Sequence, residues 1–387
     1  MLLRDGNRLR DAEIPADHNK NEMDQLSDYH TFKRLLNGAN ISWHYTTPYN
    51  FTGAGRILHE FEGDFFTLHQ FTTVFLLTFY IPIFVAGLIG NLLIIASVIE
   101  DRNIRKARNC FLLNLAIADL SVTIFCMPAA VGTLVYRLWI FQNAGKHGAF
   151  LCKFTIFMQG VAVSVSIFSL TAMSVDRYIS LQHPTASQRF SSPNQTYVIV
   201  CCMWLVSAIF MGPLIYVRHI DVLELPNLGV LQFCIEDWPQ DRDRQAYGLF
   251  VTFVIFLIPT GTVTICYAHV GKALCSNTLQ RESSDSSTKR IISRKRAARV
   301  LILLVIVFLV CWLPYSAISL AIDISEEIEF AGILPYALWL GHAHSAINPG
   351  MYWSLNKNFR QRVKSIVKRA RPFTCASQSS ISLSDYV

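Results

Sequence analysis

Seven long apolar runs, separated by short polar links, make up most of this chain. They cover roughly Phe71–Val98, Cys110–Tyr136, Phe150–Leu181, Tyr197–Val217, Tyr247–Leu274, Val300–Ile322 and Ile333–Trp353. A run of about 18 or more apolar residues, wound as a helix, crosses a hydrocarbon layer roughly 30 Å thick. A soluble all-α core accounts for one or two such runs, but not for seven. The pattern therefore predicts an all-α membrane protein built as a seven-helix bundle. Pro128, Pro213, Pro259, Pro314 and Pro349 fall inside runs two, four, five, six and seven. Proline removes a backbone hydrogen bond and kinks a helix. Spanning helices tolerate this because neighbouring groups re-satisfy the freed backbone.

Composition agrees. Of 387 residues, 52% are hydrophobic and only 16% charged, against roughly 25% charged in a soluble domain. The net charge of +7 matters less than where it lies. "DRNIRKAR", "TKRIISRKRAAR" and "NKNFRQRVKSIVKRAR" crowd the links after runs one and five and the tail. The other links carry "CIEDWPQDRD" and "DISEEIEF". The positive-inside rule places the N-terminus outside and the tail in the cytoplasm of a multi-pass plasma-membrane protein. All the basic stretches adjoin spans on one face, so membrane lipid, not nucleic acid, is their expected partner.

The chain divides into an outer segment (1–70), the bundle (71–353), an amphipathic surface helix (354–371) and a Ser-rich tail (372–387) that is expected to be disordered. The first residues lack the apolar stretch of a secretory signal, which leaves the first span as the expected insertion signal. Sequons at Asn40 and Asn50 lie in the outer segment and are candidate glycosylation sites. The sequon at Asn194 lies on the inner face and is expected to stay unused. Of ten cysteines, most lie within apolar runs and read as packing residues, Cys201 and Cys202 among them. Cys152 and Cys234 sit at the outer face, where an oxidising exterior permits a disulfide between them. Cys375 is a candidate palmitoylation site. "NTLQRESSDSSTKR", between runs five and six, reads as a mobile linker. It and the tail are candidate phosphorylation sites for receptor kinases and arrestin to read.

Polar residues inside the runs carry the candidate chemistry. Asp119 stands near the middle of run two, where a charge costs about 2.5–3.5 kcal/mol on insertion scales. Such a group faces the bundle interior and has partners. Asn91, Ser166, His344, Ser345 and Asn348 lie at similar depth. Together they suggest a small hydrated pocket for a sodium ion or a proton, and a hydrogen-bonded core acid is the plainer reading. At the inner rim, Arg177 follows Asp176, an ion pair weak enough to open while water reaches it. Phe308 and Trp312, one turn apart before Pro314, read as a packing lever at a pivot or as ordinary bundle packing.

These residues, in this order, resemble the rhodopsin-like (class A) G-protein-coupled receptors. The landmarks are Gly90-Asn91, "LAIAD" ending at Asp119, Trp139, Cys152, Asp176-Arg177-Tyr178, Trp204, Pro213, Cys234, Pro259, Tyr267, "FLVCWLP", and "NPGMY" from Asn348 and Pro349 to Tyr352. The resemblance implies a two-state bundle. Asp176 holds Arg177 at rest; activation frees it to meet a heterotrimeric G protein while Tyr267 and Tyr352 move inward. It also implies an allosteric sodium ion held by Asp119, Ser166 and Asn348. Two residues depart from the family. His344 stands where Asn is common, and Arg294 stands where some relatives carry a Glu that pairs with the arginine. No nucleophile–base pair, phosphate loop or paired metal ligands suggest an enzyme. A secondary transporter is the main alternative from another class, but it predicts repeated halves, and the chain has none to match.

Gln159 lies two turns beyond Cys152, where amine receptors of this family carry an Asp. Neuropeptide Y-like, orexin-like and RFamide-like receptors carry Gln at this position, and "CKFTIFMQGVAVSVSIFSLTAMSVDRY" is similar to the third helix of neuropeptide FF and related receptors. The outer face is acidic, with Glu236, Asp237, Asp323, Glu326, Glu327 and Glu329. Solvated loop charges are the plainer reading; the resemblance to neuropeptide Y-like and RFamide-type receptors implies a cationic, C-terminally amidated peptide agonist whose arginine pairs with Asp323. Phe154, Phe157, Met158, Gln159 and Trp312 are expected to shape the pocket below. A galanin-, tachykinin- or allatostatin-like peptide is the alternative ligand.

Overall fold

The computed structural model describes residues 65–100, 107–136, 145–182, 192–225, 229–275, 285–325 and 333–370. Asn40, Asn50, Trp139, Glu326, Glu327, Glu329 and Cys375 lie outside these.

The first span is α1 (Phe65–Ile99). The second is α2 (Ala107–Ser121), joined by a π-helical stretch, Val122–Cys126, to α3 (Met127–Tyr136). The third is α4 (Gly145–Gln182). The fourth is α5 (Pro193–Met211), followed after Gly212 by α6 (Pro213–Val217). The hairpin β1 (Arg218–Leu225) and β2 (Gly229–Glu236) follows. The fifth span is α7 (Asp241–Val251), a π-helical stretch Thr252–Leu257, and α8 (Ile258–Cys275). The last elements are α9 (Asp285–Ser325), α10 (Leu334–Leu355) and the short α11 (Lys357–Ala370).

Six of these stretches are apolar and long enough to cross a membrane. The seventh, α10, has 22 residues, about 33 Å at 1.5 Å per residue. It is less apolar because His342, His344, Ser345 and Asn348 lie on it, all buried. The bundle exposes large aliphatic side chains: Leu205, Ile209 and Ile265 are each 62% exposed. In water such a girdle would be unfavourable; against lipid tails it is not.

The two π-helical stretches have a common cause. Each ends just before a proline, Pro128 or Pro259. Proline cannot donate to the carbonyl four residues back and crowds it. That carbonyl belongs to Ile124 in one case and Ile255 in the other, inside the widened turns. Pro82, which the run-by-run reading left out, also sits within a helix, as do Pro314 and Pro349. At the start of α5, Ser192 caps the helix by accepting from the Gln195 N–H, and Pro193 takes the first helical position, where no donor is needed.

α4 is the central strut and packs on α2, α5, α8 and α9, while α1 lies against α2 and α10. Leu115, Ile167, Leu170, Leu304 and Phe308 form its dry interior contacts. One buried polar knot ties the second, third and fourth spans. The Trp204 indole donates to Asn114 Oδ1 (2.8 Å), and Asn114 Nδ2 donates to Ser169 (2.9 Å). Asn114→Ala strands the indole N–H, while the Ser169 hydroxyl keeps its bond to the Val165 carbonyl (2.7 Å). A loss of about 1–3 kcal/mol is expected for a buried polar group left unpaired, read as a lower Tm of the purified protein.

Three expectations need correcting. The link after the fourth span is an antiparallel β-hairpin with Arg218 opposite Glu236. The linker before the sixth span is helical from Asp285 onward, because "SSTKRIISRKRAARV" contains no Gly or Pro to stop the helix. Cys201 and Cys202 are exposed on α5 and do not pack in the core. The fourth run is interrupted at Pro213, as expected: one helix ends at Met211 and the next begins at Pro213.

α11 lies across the end of the bundle. Phe359 and Val363 are buried beneath it, Arg362 reaches the Ser97 carbonyl (3.4 Å), and Arg369 pairs with Glu100 (3.0 Å).

Candidate ligand and signalling sites

At the hairpin end, Cys152 near the start of α4 is bonded to Cys234 on β2. This pins the hairpin beside the bundle mouth. Glu236 and Asp323, two of the acids that the sequence places at the outer face as candidate ligand contacts, are both there, and both already carry an arginine. Glu236 pairs with Arg218 and also accepts from the Trp238 indole. Asp323 pairs with Arg244 Nε at 3.2 Å, joining α9 to α7. Arg244 is only 9% exposed. Gly248, one turn beyond it, makes room: a Cβ there would meet Asp323 Oδ2 at 3.1 Å. Of the acids in the sequence reading, Glu236 and Asp323 are thus each balanced by an arginine.

Below it, Gln159 does not stand alone. His342 accepts a proton from, or donates one to, the Tyr80 hydroxyl at Nδ1 (3.2 Å), and its Nε2 faces Gln159 Oε1 (3.4 Å). An amide oxygen only accepts, so Nε2 carries the proton and Tyr80 donates to Nδ1. This chain ties α1, α4 and α10 under the mouth. Trp312, also buried, meets His342 edge-on (6.0 Å), and Gly341 leaves space for its indole, since a Cβ there would lie 2.7 Å from the ring. Phe157 packs against the same core, while Phe154 stacks on Phe150 (5.4 Å). Sequence reading missed Tyr80, His342, Arg218 and Arg244. His342 left a signal, a second polar residue two positions before His344; the arginines left none, because their partners are distant in sequence.

At mid-depth, the predicted cluster comes together around Asp119. Asn348 Nδ2 donates to Asp119 Oδ2 (2.7 Å). Ser345 (3.3 Å) and Ser166 (3.5 Å) face Oδ1, with His344 Nδ1 at 3.6 Å. Asn91 does not touch the carboxylate: its amide donates to the carbonyls of Gly87 and Ser345, both 2.9 Å. It ties α1 to α10. Phe308 packs edge-on against His344 (5.2 Å) and beside Phe256 of the π-helical stretch (5.9 Å). Phe308 of the sixth span therefore rests on the Asp119 cluster.

At the opposite end, Arg177 and Asp176 are 3.4 Å apart and both partly exposed. The Tyr267 hydroxyl meets Ser174 (3.3 Å), one turn before Arg177 on α4. Tyr178 lies beside His269 (5.7 Å), and buried Tyr352 packs on Phe359 of α11 (6.4 Å). Three spans thus present their switch-candidate tyrosines and arginine to one mouth.

Comparison with known proteins agrees with this layout. The sequence profile of the 7 transmembrane receptor (rhodopsin family) matches residues 90–352. Human galanin receptor type 1 is 33% identical over 299 residues, covering 74% of this chain and 79% of that receptor. Mouse neuropeptide FF receptor 2 is 26% identical over 346 residues, 85% of this chain and 79% of that receptor. Guinea-pig neuropeptide Y receptor type 2 is 28% identical over 324 residues, 81% of this chain and 82% of that receptor. These relatives are receptors, not enzymes. The chain belongs to the rhodopsin family of seven-transmembrane receptors, within its neuropeptide-receptor branch.

Proposed function

We propose that this chain is a plasma-membrane receptor for a cationic, C-terminally amidated neuropeptide, with its N-terminus outside and its tail in the cytoplasm. Binding at the hairpin end shifts the bundle toward an arrangement whose Arg177 end engages a heterotrimeric G protein. An agonist does this only if it binds the active arrangement more tightly than the resting one. The observation that carries the ligand class is the Asp323–Arg244 pair. Asp323 already holds a guanidinium in a partly buried site between α7 and α9. A ligand arginine fits that same carboxylate by exchange with Arg244.

Exchange predicts opposite effects for the two partners. Asp323→Ala is expected to reduce agonist potency about 10- to 100-fold, the range for a lost charge-assisted hydrogen bond. Arg244→Ala is expected to raise it several-fold, because the ligand no longer competes with an internal cation. The agonist is found by applying amidated neuropeptides to cells expressing the chain and reading calcium and cyclic AMP together. Activation only by peptides lacking a cationic side chain would contradict the reading. A galanin-like peptide is the second reading, supported by the 33% identity to a galanin receptor; it predicts potency indifferent to Asp323→Ala.

A further inference from the structure

The family resemblance implies a sodium ion at Asp119, but the residues present do not fit one. Asn348 Nδ2 lies 2.7 Å from Asp119 Oδ2. A carboxylate oxygen accepts, so this contact fixes which end of the Asn348 amide is the NH2. The same nitrogen lies 3.2 Å from His344 Nε2. An amide nitrogen only donates, so Nε2 accepts and the ring proton sits on Nδ1. Nδ1 in turn faces the other oxygen of the same carboxylate, Oδ1, at 3.6 Å. That distance is too long for a direct hydrogen bond, so the ring acts on the carboxylate through the positive end of its N–H. Asp119, Asn348 and His344 lie in one contiguous buried cluster.

Hard cations take oxygen lone pairs. Here the space beside Oδ1, which Ser166 and Ser345 also face, is met by the positive end of an N–H. The ring has no room to turn away: His344 is 1% exposed and Phe308 packs against its edge. Asn91 Oδ1 and Asn348 Oδ1 are buried acceptors with no donor among the described residues.

We infer that His344 replaces the ion: its Nδ1–H supplies the positive pole at Asp119 Oδ1, and the resting bundle has no sodium-specific site. The inference rests on the interior geometry and not on the identity of the peptide.

The test needs no agonist. The Tm of the purified full chain is measured in sodium chloride and in choline chloride at equal ionic strength. The wild type is expected to melt at the same temperature in both. His344→Asn is expected to gain several degrees in sodium alone, and to lose that gain when Asp119→Asn is added. If His344→Asn does not fold, His344→Ser removes the same N–H. A sodium-specific rise in the wild type would overturn the inference. So would a folded ring-less variant that shows none.

Discussion

Cys234→Ser is expected to abolish high-affinity agonist binding and to lower the Tm of the purified receptor. The bond it removes joins Cys234 to Cys152 across 82 residues of sequence. The chain-entropy treatment gives an upper bound of about 4.5 kcal/mol for a loop of this length. The membrane already restrains the spans between the two cysteines, so the loss of stability should fall below that bound. β2 carries Glu236, and with β1 it places the Arg218–Glu236 pair at the bundle mouth. Freed from α4, the hairpin no longer presents that pair. The expected result is normal bundle helicity with agonist binding reduced at least about 10-fold, a loss of roughly 1.4 kcal/mol. Binding retained at full affinity would show that the hairpin has no part in the ligand site.

The second large effect is expected at Gly90. The first and seventh spans touch there so closely that a Cβ would lie 2.5 Å from Pro349 Cβ and 2.7 Å from Pro349 Cγ. A proline ring inside a helix has no alternative rotamer to relieve the clash. Gly90→Ala therefore forces α1 away from α10 and disturbs the Asn91 bonds to Gly87 and Ser345 next to it. Overpacking of this kind costs about 1–3 kcal/mol. Gly350→Ala is the matched control, because a Cβ there meets nothing within 4 Å. Thermal melting and surface expression should fall for Gly90→Ala and stay unchanged for Gly350→Ala. Equal behaviour of the two variants would contradict the close approach.

The spans were legible in the sequence because lipid imposes one rule, length and apolarity, that needs no knowledge of neighbours. Asp119 was legible for the converse reason: a carboxylate at that depth requires partners, and Ser166, Ser345, His344 and Asn348 supply them. What sequence could not show was set by contacts between distant segments. Glu236 and Asp323 read as open acids until the fold placed Arg218 and Arg244 against them. Gln159 read as a ligand contact, but its oxygen faces His342, 183 positions away. The hairpin was missed because its eight-residue strands are short and flank Pro226 and Asn227, a pair that reads as a loop. The π-helical stretches could be inferred only in part. Pro128 and Pro259 announce a disturbed turn, but not whether the helix widens or kinks.

The central claim is that the hairpin end and the Arg177 end are coupled through two arrangements of one bundle. Its most direct test is agonist affinity, measured on the purified receptor with and without a nucleotide-free heterotrimeric G protein. Coupling free energies of about 1–3 kcal/mol correspond to roughly 5- to 150-fold, so affinity should rise within that range. The rise should vanish on adding a non-hydrolysable GTP analogue. Arg177→Ala should bind agonist but show no rise. Agonist affinity that stays the same whether or not the G protein is present would contradict the account.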